Sequence, residues 1–395
     1  MATASGRDVP SAEPSGDVTW RDGKRYAWLL GLVVPVAPFI AWGLVSATGL
    51  GLFWWTGPLL VFGLIPLIDV LVGTDRENPP DDLIEYLERD RYYRWITYLY
   101  LPLQYGSLVT ACWLWTTSPM SLTDRIGLAV TVGVVAGIGI NTAHELGHKK
   151  EKLERLLAKV ALAQSAYGHF YIEHNRGHHV RVATREDPAS SRLGETFWRF
   201  LPRSVAGSAR SAWHLEKARL ARSGKGPWNV RNDVLNAWLM TVVLFTALTV
   251  AFGPAVLPYL AIQAVVGFGL LEAVNYLEHY GLLRQKTPGG RYERPQPRHS
   301  WNSNNVCTNV FLYHLQRHSD HHANPTRRYQ ALRHFDEAPQ LPAGYASMIL
   351  LACLPPLWRR VMDKRVLAHY GGDVELANIH PPARAGLLAR RRSAA

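Results

Sequence analysis

Nine of the sixteen histidines in this 395-residue chain fall into four short runs. His144 and His148 occur in NTAHELGHKK, and His174, His178 and His179 in EHNRGHH. His279 stands in NYLEHYG, and His318, His321 and His322 in LQRHSDHH. An i, i+4 pair stacks two imidazoles on one helical face, close enough to share a metal ion. A single run of this kind could be packing or helix capping, but four in one chain point to metal. Nine imidazoles exceed the needs of one ion, so two ions are expected. Spacing does not name the element: imidazole suits Zn, Cu, Fe and Ni, and open coordination positions would favour oxygen chemistry on iron.

A centre ligated only by neutral imidazoles keeps the full charge of its ions. Carboxylates around it should orient the rings and offset that charge. Glu145, Glu173, Asp187, Glu278 and Asp320 each stand beside or close to a candidate ligand, and Asp69 lies near one end of an apolar stretch. The competing explanation for each is a solvated carboxylate on a charged face.

The elements that must carry these residues are long and apolar. Stretches 27–47, 52–72, 95–115, 126–143, 234–252 and 257–277 are each able to cross about 30 Å of hydrocarbon as helices. They pair into three hairpins whose turns carry a single base, Arg125. The other side holds Arg21, Lys24, Arg25, Arg76, Arg89, Arg91, Arg94, Lys149, Lys150, Lys152, Arg155 and Arg231, so the positive-inside rule makes it cytoplasmic and puts both termini there. All nine clustered histidines fall on that same side, an agreement the motif search did not impose. The expected architecture is an all-α integral membrane protein with six transmembrane helices and a cytoplasmic, helical, histidine-rich di-metal domain. Its parts are a disordered cytoplasmic tail over 1–26, a six-span bundle over 27–278 with a cytoplasmic insertion at 145–232, and a cytoplasmic segment over 279–395 that completes the site. The apolar run 345–358, broken by Pro355 and Pro356, reads as an interfacial or core helix rather than a seventh span.

Composition narrows the alternatives. Only 19% of residues are charged, and the net charge of +12 suits basic loops facing anionic lipid better than nucleic acid. Cys112, Cys307 and Cys353 are far apart and form no CxxC pair, which argues against a disulfide framework, a zinc ribbon or a fused rubredoxin. The polar start of the chain reads as a disordered tail rather than as a secretory signal peptide.

The runs HELGHK, EHNRGHH followed by EDPASSRLGE, NYLEHYGL, and LQRHSDHHANPTRRYQ resemble the integral-membrane alkane 1-monooxygenases, the rubredoxin-dependent alkane hydroxylases. The resemblance runs from the first apolar stretch to about Tyr345, and NYLEHYG separates these enzymes from the wider fatty-acid-desaturase-like group. It implies that His144, His148, His174, His178, His179, His279, His318, His321 and His322 ligate two irons. It implies no such role for His169, His214, His299, His314, His334, His369 or His380. Arg185 stands where proline is expected, which touches only the shape of a loop. The implied reaction is O2-dependent terminal hydroxylation of n-alkanes in a bacterial inner membrane. The implied electron donor is rubredoxin, itself reduced by a reductase with NAD(P)H. An alkane has no polar handle, so a channel between spans must bind it by burial, at roughly 0.8 kcal/mol per CH2. The resemblance points to the second span, where Trp54, Trp55, Val61 and Phe62 are channel candidates; Trp54 and Trp55 also suit a lipid-facing or interfacial position.

Three other readings compete. A fatty-acyl desaturase or hydroxylase shares the histidine boxes but would lack the LQRHSDHHANPTRRYQ run. HELGH satisfies the HExxH pattern of a zinc protease with Glu145 as general base, yet leaves seven clustered histidines unused. A membrane metal transporter predicts polar residues lining the mid-membrane, whereas the six stretches look nearly free of them.

Overall fold

The computed structural model describes residues 20–388. Among them there is no strand, and six long helices form the bundle: α1 (Ala27–Thr48), α2 (Gly51–Val72), α3 (Arg91–Thr117), α4 (Leu122–Gly147), and further along the chain Asp233–Phe252 and Pro254–His279. Five of these are long and apolar enough to cross a membrane. The sixth, α3, has 27 residues but carries Tyr92, Tyr93, Tyr98, Tyr100, Gln104 and Tyr105. Its polar groups turn inward: Tyr100 donates to the Val135 carbonyl (2.8 Å) and Ser107 to that of Pro35. Trp95, Leu99, Val109 and Trp113 face outward.

Local chemistry sets the helix ends. Thr48 is followed by Gly49 at φ +72°, whose amide closes on the Val45 carbonyl (2.8 Å), a left-handed cap that glycine adopts without strain. The Ser121 hydroxyl accepts the Asp124 amide at the start of α4. At this turn end Arg125 donates to the Trp115 carbonyl (2.9 Å) and Trp115 to that of Ala255 (2.8 Å). Three helices match the expected boundaries to within one residue, whereas α3, α4 and the helix Pro254–His279 run up to about one turn past them. At the opposite end that overrun lifts His144 and His279 out of the apolar segment.

α4 is the central helix and is almost wholly buried. Its Gly133 and Gly137 meet Val266, Gly267 and Leu270: a Cβ on Gly133 would lie 2.5 Å from that of Val266, and one on Gly137 3.1 Å from the Gly267 carbonyl. Small residues four apart let two backbones touch, which brings the histidine-bearing ends of both helices together.

The structure departs from expectation in two places. Residues 20–26, assigned to the tail, form a turn that closes onto the bundle, with Asp22 accepting from Trp28 (2.9 Å) and Tyr93 (2.8 Å). The Ser, Gly and Pro composition that suggested disorder stops before Trp20; residues 1–19 of that expected tail lie outside the described residues. The insertion 145–232 is likewise not a separate aqueous layer. Its first helix, α5 (Lys152–Ala163), descends between α3, α4 and the helix Asp233–Phe252. The carbonyls at its open end are capped by side chains of the long helices: Val160 by Tyr105 (2.6 Å), Ala161 by Gln104 (3.2 Å), Ala163 by Thr241 (3.1 Å) and Gln164 by Gln263 (2.8 Å). The last carbonyls of any helix lack internal partners, so a buried end requires such donors. The long helices are therefore less apolar than their composition suggested, since Gln104, Gln263 and Glu272 lie buried within them; Glu272 accepts from Tyr167 (2.6 Å).

The chain returns upward as the helical stretch 170–181 (α6), then α7 (Phe197–Ala221), α8 (Asp233–Phe252) and α9 (Pro254–His279). The C-terminal part contributes α10 (Val306–Phe311), α11 (His318–Ala323), α12 (Tyr345–Ala352) and α13 (Pro355–His369). α12 is a core helix, with Tyr345, Met348 and Ala352 buried. Tyr313 and His314 hold φ of +50° and +53°. This pair reverses the chain just before α11 and is anchored by His314 Nδ1 on the Tyr329 carbonyl (2.9 Å).

Candidate metal centre

The nine clustered histidines come together in two groups. His144, His148, His174, His179 and His321 form one, and His178, His279, His318 and His322 the other; within each, one ring nitrogen per residue lies within 4.8 Å of all the rest. Helix geometry explains the division. Residues 174–178 form a π turn, whose wider pitch swings His179 round to His174 (Nε2···Nε2 3.0 Å) and leaves His178 facing the other group. α11 is a regular helix, so His318 and His322 share a face (2.8 Å) while His321 turns to His144 (2.8 Å) and His179 (3.1 Å). His279 meets His318 at 3.2 Å.

These separations fit metal ligation better than hydrogen bonding. A neutral imidazole nitrogen has either one proton or one lone pair. His321 Nε2 and His179 Nε2 each face two other ring nitrogens and cannot satisfy both, and His148 Nε2 and His178 Nε2 are buried without a partner. Two nitrogens at about 2.1 Å from one ion lie about 3 Å apart when cis, which matches the 2.8–3.2 Å observed. Burial, reinforced by the neighbouring rings, pushes His174, His179, His318, His321 and His322 well below the usual imidazole range, so they are neutral and able to ligate.

The six candidate carboxylates divide. Asp187 accepts from His178 Nδ1 (2.9 Å) and from the Ser190 hydroxyl (2.6 Å). Burial pushes it up, but the His178 ring and Ser190 outweigh that and hold it down at about 2. Glu278 lies 3.1 Å from His318 Nδ1 and accepts from Tyr345 (3.0 Å). The other four touch no ligand ring. Glu145 points off the ligand face of α4 to Lys149 (2.9 Å), a poor disposition for the general base of a protease. Glu173 pairs with Arg181 (2.6 Å), and burial raises its carboxyl to about 7. Asp320 is taken by Arg327 (2.6 Å) and the Arg333 amide (2.8 Å), which fixes the loop after α11. Asp69 holds the Thr308 amide (3.0 Å) and hydroxyl, tying α2 to α10. Being adjacent to a ligand in sequence places a residue about 100° away round a helix, which is why adjacency misled here. Sequence reasoning missed Ser190, Tyr345 and the His299 carbonyl, which lies 3.4 Å from His279 Nδ1. The other histidines pack elsewhere: His169 on Tyr167, His369 on Trp301, His334 on Asn304, with His380 buried and His214 exposed.

Directly below the rings is a narrow, partly open apolar pocket. Asn141 lines it one turn before His144, Val274 five residues before His279, and Leu315 three before His318; Val61, Ile138 and Ile349 form walls. The one amide in the lining, Asn141, donates to the Leu312 carbonyl (2.7 Å), so the wall stays apolar. Of the channel candidates, only Val61 lines this pocket. Phe62 is packed in the surrounding core, Trp54 is buried in a separate cluster, and Trp55 covers Gly127.

Residues 125–352 match the family model described as fatty acid desaturase. The chain is 48% identical over 363 residues to alkane 1-monooxygenase 1 of Alcanivorax borkumensis, covering 92% of this chain and 90% of that protein. It is 48% identical over 375 residues to the alkane 1-monooxygenase of Acinetobacter baylyi, covering 93% and 91%. A more distant likeness, 27% over 360 residues, is to the xylene/toluene monooxygenase hydroxylase component XylM of Pseudomonas putida, covering 84% and 91%.

Proposed function

The chain belongs to the alkane 1-monooxygenases, multi-pass membrane enzymes of desaturase-like fold, and from that premise we propose that it hydroxylates terminal methyl groups of n-alkanes at a di-iron centre held by its nine clustered histidines. The observation that carries this reading is the convergence of two imidazole groups directly above an apolar pocket. The overall change is RCH3 + O2 + 2 e⁻ + 2 H⁺ → RCH2OH + H2O. Bound iron would supply the activation of O2 and the insertion of one oxygen atom into the C–H bond. The protein's own residues do the rest. The pocket binds the alkane by burial, at roughly 0.8 kcal/mol per CH2. Asp187 and Glu278 orient His178 and His318, and the apolar wall keeps water from the terminal carbon.

Electrons come from rubredoxin, reduced in turn by its reductase with NAD(P)H. The cysteines here are free and unpaired, which suits a separate donor. His148 and His179 are the only two of the nine that are not fully buried, and both belong to the five-histidine group. That flank is therefore the side on which an acidic donor approaches a basic surface. α3 acts as the sixth span, and the histidine-bearing end faces the cytoplasm of a bacterial inner membrane, in keeping with its basic residues.

The test uses purified full-length protein with octane, O2, rubredoxin and reductase. Two irons per chain and 1-octanol as product are expected. About one zinc per chain, or no alcohol from any medium or long alkane, would overturn the reading.

A further inference from the structure

We propose that the basin between α13 and residues 383–387 binds the phosphate of an anionic phospholipid, whose acyl chains lie along the outer face of α12 and α13. The basin is lined by Arg359, Arg360 and Lys364, with Gly194, Leu367 and Leu387 behind them. Among the described residues none of these three cations has an ion-pair partner, and only Arg359 is tied down, through the Gly194 carbonyl (2.8 Å). The one carboxylate in the basin, Asp363, accepts from the Tyr280 hydroxyl (2.8 Å). Three cations thus outnumber one carboxylate in a concave site.

What separates a lipid from any other anion is the sequence of chemistry along one stripe. Leu357, Arg360 and Lys364 follow at spacings of three and four residues along one side of α13, with Leu354 at the break just before it and Leu350 on the last turn of α12. The lower three are exposed leucines, at 44%, 53% and 48%, and Trp198 stands exposed beside them with its indole on the Cys353 carbonyl (3.0 Å). Depth is set by the packing against α9. Ile349 shares the pocket wall with Val274, whereas Trp358 packs on Tyr276 and Tyr280, where α9 leaves the bundle. The stripe therefore passes from apolar to cationic at the level where hydrocarbon gives way to headgroups. A diacyl lipid with an anionic phosphate has the same order of chemistry, and an amphipathic aromatic such as Trp198 is typical of that boundary.

Full-length holoprotein in neutral detergent tests this, by comparing thermal unfolding with added phosphatidylglycerol, with phosphatidylcholine, and with inorganic phosphate alone. Native mass spectrometry would count bound lipid. Phosphatidylglycerol should raise the midpoint more than phosphatidylcholine does, and phosphate alone should not. The doubly substituted Arg360→Gln/Lys364→Gln protein changes two exposed side chains and should keep its iron. It should bind phosphatidylglycerol roughly 30-fold more weakly. An equal response in the double variant, no preference for phosphatidylglycerol, or a shift reproduced by phosphate would each overturn the proposal.

Discussion

The nine rings do not share their carboxylates evenly, and that asymmetry predicts how single residues behave. Asp187 and Glu278 both serve the four-histidine group, while Glu145 and Asp320, beside ligands of the five-histidine group, are committed to Lys149 and Arg327. Asp187→Asn should therefore weaken one iron and spare the other. About 10- to 100-fold lower affinity is the usual effect of losing such a support, measurable as a fall from two irons toward one per chain during chelator titration. Glu145→Gln should leave both irons in place and act on stability alone. The lowered imidazoles carry a pH expectation too. Burial holds them neutral, so protons compete with metal only well below the ordinary value of about 6.5, and stability linked to their neutrality is lost as pH falls. Iron should stay bound at about pH 6, where a surface cluster would be largely protonated, and its release followed spectroscopically would be displaced to lower pH.

At the scale of elements, apolar length made the long helices legible within a few residues, because a helix crossing hydrocarbon needs about 20 apolar residues and little else has them. The histidine boxes were legible for a different reason, since i, i+4 spacing at a helix end is local. The descent of α5 was not. Lys152, Glu154, Arg155 and Lys159 give its first turns an aqueous character, and the residues that cap its buried end, Gln104, Tyr105, Thr241 and Gln263, lie about 60 to 100 positions away in sequence as isolated polar residues in apolar runs. A pattern of period does not reveal which distant carbonyl a lone glutamine serves. If the caps hold α5 in place, Gln263→Leu should cost about 1–3 kcal/mol by stranding the Gln164 carbonyl, read as a lowered unfolding midpoint with the iron content of the surviving fold unchanged. Gly133→Leu should do more. A side chain there has no room against Val266, so α4 and α9 must part, moving His144 relative to His279 and lowering metal content together with stability.

The whole molecule is arranged so that the α4–α9 contact, the ceiling of rings and the apolar pocket share one axis, and substrate length should follow from that alignment. The pocket was only partly legible because its walls come from five helices, and a second-span search could reach just one of them. Val61 and Ile65 are its contribution, while Ile138, Leu270, Val274, Leu312 and Ile349 come from elsewhere in the chain. A signal for part of the wall was present: Asn141 stands one turn before His144 on α4, where a helix ending in a ligand must line whatever lies beneath the metal. Val61→Trp fills the pocket from the side and should shift products toward shorter alkanes across a ladder of chain lengths. Phe62→Leu, in the packed core behind that wall, should cost stability and leave the length preference in place. Trp55→Ala is the sharper control. Trp55 covers Gly127, ten residues below Gly137 on α4, or about 15 Å at 1.5 Å per residue. If the pocket ends where its lining ends, removing that indole leaves the length profile of the shorter alkanes unchanged; lengthening of the preferred chain would instead mean that the pocket extends through Val61 to the turn end of the bundle.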